Sequence, residues 1–152
     1  MRKHARTMLG WMLFVMVYAL FLTDANTAKA EVVIRADHGG QIMQYFWRSQ
    51  RMGMSGEKVV VDGDCLSACT ILFGFVPPER ICVTDKAKLG FHAAWHPDEE
   101  GRPVYNSAGT QLLWQSYPPW FHTWIKKRGG LKSKMIYLEG AELAKMYQRC
   151  PR

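Results

Sequence analysis

Residues 58–75 read KVVVDGDCLSACTILFGF, and the way this stretch divides decides the fold. Lys58 to Val61 is a β-branched run that suits a strand, and Asp62-Gly63-Asp64 has turn chemistry. Leu66 to Phe75 is small and apolar enough to be a helix buried on every side. A strand, a turn and a buried helix in that order present Ser67 at a strand-to-helix junction. There the free N–H groups and the positive end of a helix dipole favour negative charge. A serine at this position also serves as an ordinary helix cap, and Ser67 alone does not decide between the two.

Working outward, Glu31 to Ala36 contains Val32-Val33-Ile34, a second β-branched strand, followed by the turn Asp37-His38-Gly39-Gly40. Gln41 to Met52 alternates apolar and polar residues at helical spacing and stops at Gly53-Met54-Ser55-Gly56. After Pro77-Pro78, Ile81 to Thr84 and Lys88 to Phe91 are short strands, and the second delivers His92 to its end. Pro97 to Gly101 is a surface loop. Ser107 or Thr110 caps a helix that breaks at Pro118-Pro119, and Trp120 to Arg128 forms another turn or two before Gly129-Gly130. Met135 to Leu138 is extended, and Ala141 to Tyr147 has helix-forming composition. Strands alternate with helices, so the class is α/β with a largely parallel sheet.

The chain has 152 residues, 48% of them hydrophobic and 22% charged, a balance that excludes disordered and low-complexity classes. Arg2, Lys3 and Arg6 precede an apolar run from Met8 to Leu22, and Ala28-Lys29-Ala30 follows as a cleavage site. Residues 1–30 therefore read as an export signal and residues 31–152 as one domain. The run is shorter than the roughly 20 residues that span a bilayer, so membrane contact is expected only before cleavage. Four of the 20 basic residues lie in the leader, and the mild basicity left does not indicate nucleic acid.

Export places Cys65, Cys69, Cys82 and Cys150 in an oxidising compartment, periplasmic or extracellular, where an even count suits two disulfides. Three connectivities are open. The preferred one joins Cys65 to Cys69 and Cys82 to Cys150, because the first pair is near enough to bridge a turn and the second ties down the tail. The spacing does not match common zinc sites, and no phosphate loop or dinucleotide fingerprint is present, so no metal or cofactor is expected.

Two features give Ser67 weight. His92 lies 25 residues downstream, beyond one helix and one strand, a separation that returns a parallel α/β chain to the same sheet edge. Its Nε2 then acts as base to the Ser67 hydroxyl. Gly39-Gly40 ends the first strand without side chains, so that its amides, with that of Ala68, can serve as an oxyanion hole. The basic cluster Lys126-Lys127-Arg128 beside Trp120, Phe121 and Trp124 suits either an anionic envelope surface or a solvated helix end.

In combination these segments resemble the Clp protease proteolytic subunit and the wider crotonase-like superfamily that includes signal peptide peptidase A. The likeness covers residues 32–147. Ile34 to Gly40 is similar to the oxyanion strand, Ser67-Ala68 to the nucleophile turn, and Lys88-Leu89-Gly90-Phe91-His92 to the histidine strand. The resemblance implies a reduced Clp-like fold of β-β-α layers with a mostly parallel sheet, peptide or protein substrates and a homo-oligomer. It also implies Gly39, Gly40 and Ala68 as oxyanion donors. It departs at the third member of the triad, where Met135 stands near the family's aspartate and no acid lies between Arg102 and Glu139. Asp98, Glu99 or Glu100 from the loop after His92, or a backbone carbonyl, is the substitute. The expected function is a periplasmic serine hydrolase, a peptidase, with Ser67 as nucleophile and His92 as base. The alternative is a catalytically degenerate domain that binds a peptide or envelope partner.

Overall fold

The two β-branched runs lie side by side. Strands β1 (Glu31–Asp37) and β2 (Lys58–Leu66) pair in parallel from Glu31 opposite Lys58 to Asp37 opposite Cys65. A parallel pair needs a crossover, supplied by helix α1 (Ile42–Ser55), which ends at Gly56 in the left-handed conformation. The computed structural model describes residues 30–151, so the leader reading lies outside the described residues. No helix among the described residues is long and apolar enough to cross a membrane.

Asp62-Gly63-Asp64, expected as a turn, instead continues β2 through a bulge. The register steps from Ile34 opposite Val61 to Ala36 opposite Asp64, so β2 carries one residue more than β1 over this interval. Gly63 permits the bulge, since a Cβ there would overlap the Arg35 carbonyl oxygen. Gly63→Ala is therefore expected to cost about 3 kcal/mol, the upper part of the range for an overpacked site, read as a lower urea midpoint at unchanged slope. An unchanged midpoint would mean that the bulge relaxes freely.

On its other edge β2 is shared. Strand β3 (Ile81–Val83) pairs with Val59 to Val61, and β4 (Lys88–Phe91) pairs with Asp64 to Leu66, both in parallel. Beyond β4, Trp95–Pro97 (β5) and Pro103–Tyr105 (β6) form an antiparallel hairpin, so the loop expected at 97–101 is its turn. Helix α2 (Ser107–Ser116) is capped by Asn106, whose side chain accepts from the Gly109 N–H at 2.9 Å, rather than by Ser107 or Thr110. Helix α3 (Pro119–Lys127) starts on the proline pair, as proline at the first helical position favours. Strand β7 (Ile136–Glu139) adds antiparallel to β4, and β8 (Gln148–Arg149) adds parallel to β3. The result is a mixed α/β fold with a mostly parallel sheet.

The helix expected over Ala141 to Tyr147 shortens to α4 (Gly140–Leu143). Two ties draw the rest of the tail into β8: the Cys82–Cys150 disulfide, and the Cys150 N–H donating to the Val83 carbonyl at 3.1 Å. The buried helix after Ser67 is present, but as a 3₁₀ helix, Ser67–Gly74. Eight residues is long for that geometry, whose backbone hydrogen bonds are poorer than those of an α-helix, and burial adds to what holds it. Ala68 to Phe73 are all buried, and side chains the size of Ile71, Leu72 and Phe73 gain about 1.5–3 kcal/mol each from full burial. Phe73 meets Phe121 and Tyr147 edge-on, and Phe91 meets Tyr117 and Phe121 in the same way. This aromatic layer supports the 3₁₀ helix and β4, the two elements that carry Ser67 and lead to His92.

Candidate active site

The parallel register brings three chain segments to one end of the sheet. Asp37 pairs with Cys65 and Leu66 with Gly90, so the Gly39-Gly40 turn, Ser67 and His92 all follow directly on strand ends that share a level. Sites in open α/β sheets form at the carboxyl ends of strands in this way. The Ser67 Oγ lies 2.7 Å from the His92 Nε2, a hydrogen bond between groups 25 residues apart. With the neutral ring protonated on Nδ1, Nε2 accepts from the hydroxyl and can take its proton. His92 is buried, which pushes its imidazole below the usual range, and a backbone hydrogen bond at Ala93 pulls the other way. The Ala93 N–H donates to the Lys132 carbonyl at 2.8 Å and fixes the chain just after the ring.

Ser67 does not behave as an ordinary cap. Leu66 occupies the capping position, and no side chain caps the helix. Ser67 itself adopts φ +55°, the only positive φ of a non-glycine residue among the described residues. A backbone held there costs of order 1–3 kcal/mol and persists only where the surroundings enforce it. Here they do so from both sides. A disulfide joins Cys65 to Cys69 across the turn, as the sequence reading preferred. The Thr70 hydroxyl donates to the Ser67 carbonyl at 2.6 Å and meets the Tyr117 hydroxyl at 2.8 Å. Neither Thr70 nor Tyr117 was identifiable from the sequence, since an apolar helix hides a threonine and the tyrosine is 47 positions away.

The diglycine turn closes on the same point, with one correction. Gly39, at φ +82°, lies so near the serine turn that a Cβ would stand 2.7 Å from the Leu66 carbonyl oxygen and from the Ser67 Cβ. Its N–H, however, donates to Asp37 Oδ1 at 3.0 Å. Gly39 thus shapes the turn and is not free to donate to an oxyanion. The amides of Gly40 and Ala68 make no bond among the described hydrogen bonds, and Ala68 lies in the first turn of the 3₁₀ helix, where N–H groups have no partner within the helix.

The third member of the expected triad is not assembled. Asp98 sits in the β5–β6 turn, where its carboxylate accepts from the Arg102 N–H and Nε, each at 2.8 Å, and from the Glu100 N–H at 3.0 Å. Those bonds hold its carboxyl below the usual range and satisfy it locally, away from the imidazole. Glu100 pairs with Arg102 as well, and Glu99 is exposed. Among the described residues no carboxylate hydrogen-bonds His92. An open cleft of about 550 Å³ reaches the pair, with Gly40, Ile42, Ser67, His92, Trp95 and Leu113 among its walls. Two residues of the basic cluster, Lys126 and Arg128, are engaged within the chain. Arg128 lies 3.9 Å from the Trp124 ring centre and bonds Glu142 at 2.7 Å, and Lys126 lies over Trp114.

No family model and no curated protein matches this sequence. Among solved structures, a ClpP1 mutant from Listeria monocytogenes aligns over 78% of this chain and 71% of its own, at 12% identity and a TM-score of 0.48. A peptidase from Plasmodium falciparum aligns over 86% of this chain and 82% of its own, at 7% identity and the same TM-score of 0.48.

Proposed function

We propose that the protein is a serine hydrolase of the peptidase type, exported to an oxidising compartment, with Ser67 as nucleophile and His92 as general base. The observation that carries this reading is the 2.7 Å contact between Ser67 Oγ and His92 Nε2, made by a serine whose backbone is held at positive φ on the floor of an open cleft. In the acylation step His92 takes the Ser67 proton as Oγ attacks a carbonyl carbon. The amides of Gly40 and Ala68 meet the oxygen that gains charge, and the imidazolium returns its proton to the leaving group. Water then repeats the sequence on the acyl-enzyme. The choice of peptides over other acyl compounds rests on the family resemblance of the sequence. The oxidising compartment is supported by the two disulfides and the leader-like N-terminus.

The test is reaction with a fluorophosphonate probe under non-reducing conditions. The expected result is one added phosphonyl group, mapped by mass spectrometry to the peptide containing Ser67. A folded protein that takes no label overturns the hydrolase reading. That outcome favours a peptide-binding domain with the same cleft, the second reading, which the lack of a carboxylate on the imidazole among the described residues supports.

The pH dependence is fixed by the sign of the His92 shift. Only neutral imidazole accepts the serine proton, and burial favours the neutral form, so activity is retained below the ordinary histidine pKa of about 6.5. The acid limb of kcat/KM, or of the labelling rate, is expected below that value. A limb at about 7 or above would show a base stabilised in its charged form, as by a carboxylate partner.

A further inference from the structure

We infer that Asp37 is a positioning residue for the oxyanion donor at Gly40, an assignment that rests on the hydrolase reading above. Asp37 ends β1, and its carboxylate is the only side chain bonded to the diglycine turn among the described hydrogen bonds. Oδ1 accepts from the Gly39 N–H at 3.0 Å and from the Tyr45 hydroxyl at 2.5 Å, while Oδ2 accepts from Arg48 Nη1 at 3.0 Å. Tyr45 and Arg48 belong to α1, so the carboxylate ties the strand end, the turn and the crossover helix together. The Tyr45 phenol is pushed up to about 12, chiefly by burial and then by its bond to Asp37, so it remains a donor across any practical assay range.

The tie has a direction. Capturing the Gly39 N–H two residues on makes an Asx-type turn and holds Gly39 at φ +82°, where it fits against Leu66, Ser67 and Ala68 with no room for a side chain. Once Gly39 is pinned between Asp37 and the serine turn, Gly40 follows at the cleft wall next to the nucleophile. Remove the carboxylate and the glycine pair regains the wide conformational range that glycine allows, so the Gly40 amide is no longer held in place before the reaction begins. A donor already in place matters most in the transition state, where the oxygen gains its charge.

Fluorophosphonate labelling and hydrolysis of a p-nitrophenyl ester, each with far-UV circular dichroism, test this on the oxidised protein. Asp37→Ala is expected to lower the labelling rate and kcat by about 10–100-fold with KM nearly constant, the scale of a misplaced catalytic group. Asp37→Asn keeps an oxygen acceptor for Gly39 and should recover the rate to within a few-fold of the native protein, which a role in folding alone does not explain. Tyr45→Phe, which removes one bond and no core volume, gives a smaller loss in kcat and stands in should Asp37→Ala not fold. Native-rate labelling of folded Asp37→Ala, or of Tyr45→Phe together with a dead Asp37→Asn, overturns the positioning role while the hydrolase reading survives. A native protein that takes no label overturns both.

Discussion

Ser67→Ala is expected to lower kcat for an activated ester by about 100-fold, a large loss yet far smaller than the same change causes in a complete triad. In a complete triad the serine and histidine act as a unit worth about 10⁶ in kcat, and disabling the carboxylate costs about 10⁴ of it. Since Asp98 is consumed by Arg102 and no carboxylate reaches His92 among the described residues, about 10² remains for Ser67 and His92 to supply together. His92→Ala should therefore cost about as much as Ser67→Ala, and the double variant no more than either. Effects that multiply in the double variant would show two independent sites and end the nucleophile–base assignment. A loss of about 10⁶ would mean that a carboxylate supports the ring in solution after all.

Replacing both Cys82 and Cys150 by serine is expected to cost about 4 kcal/mol of stability in the chain-entropy picture of disulfides, because the bridge closes a long loop. The sequence separation is 68, and the loop holds β4, the hairpin, α2, α3 and β7. Against a typical total of about 5–15 kcal/mol, the urea midpoint should fall steeply. The Cys65–Cys69 bridge closes a loop of only four residues and contributes about 2 kcal/mol in the same picture. Its removal should instead be felt in the labelling rate, because it spans the residue held at positive φ. Both bridges lowering stability equally, with no change in labelling for the second pair, would contradict this division of roles. Denaturant curves and probe kinetics on the two double-serine variants decide it.

Much of the fold was legible because it depends on short-range patterns. The β-branched runs at Val32 to Ile34 and Val59 to Val61 are strands, the amphipathic segment between them is the crossover helix, and the proline pair separates α2 from α3. Where a distant partner decides, the local reading was displaced. Asp62-Gly63-Asp64 has turn chemistry, but the approach of the Arg35 carbonyl turns it into a bulge. Ala141 to Tyr147 has helix composition, but the helix stops at Leu143 and the chain turns before β8, which the Cys82–Cys150 bridge ties beside β3.

By itself, then, the order of residues determined the alternation of strands and helices and the export-type leader reading, and it supplied the preferred cysteine pairing. It also supplied the candidate pair Ser67 and His92, through a spacing that suits one turn of a parallel layer. Tertiary structure alone decided how the groups around that pair meet: the Ser67 Oγ with the His92 Nε2, Gly39 against the serine turn, and the Thr70 hydroxyl with Tyr117. The physical reason is that a hydrogen bond is spent on whichever partner comes within about 3 Å. Strand register across the sheet and the path of a hairpin set that distance, and neither can be read from the residue types at either end.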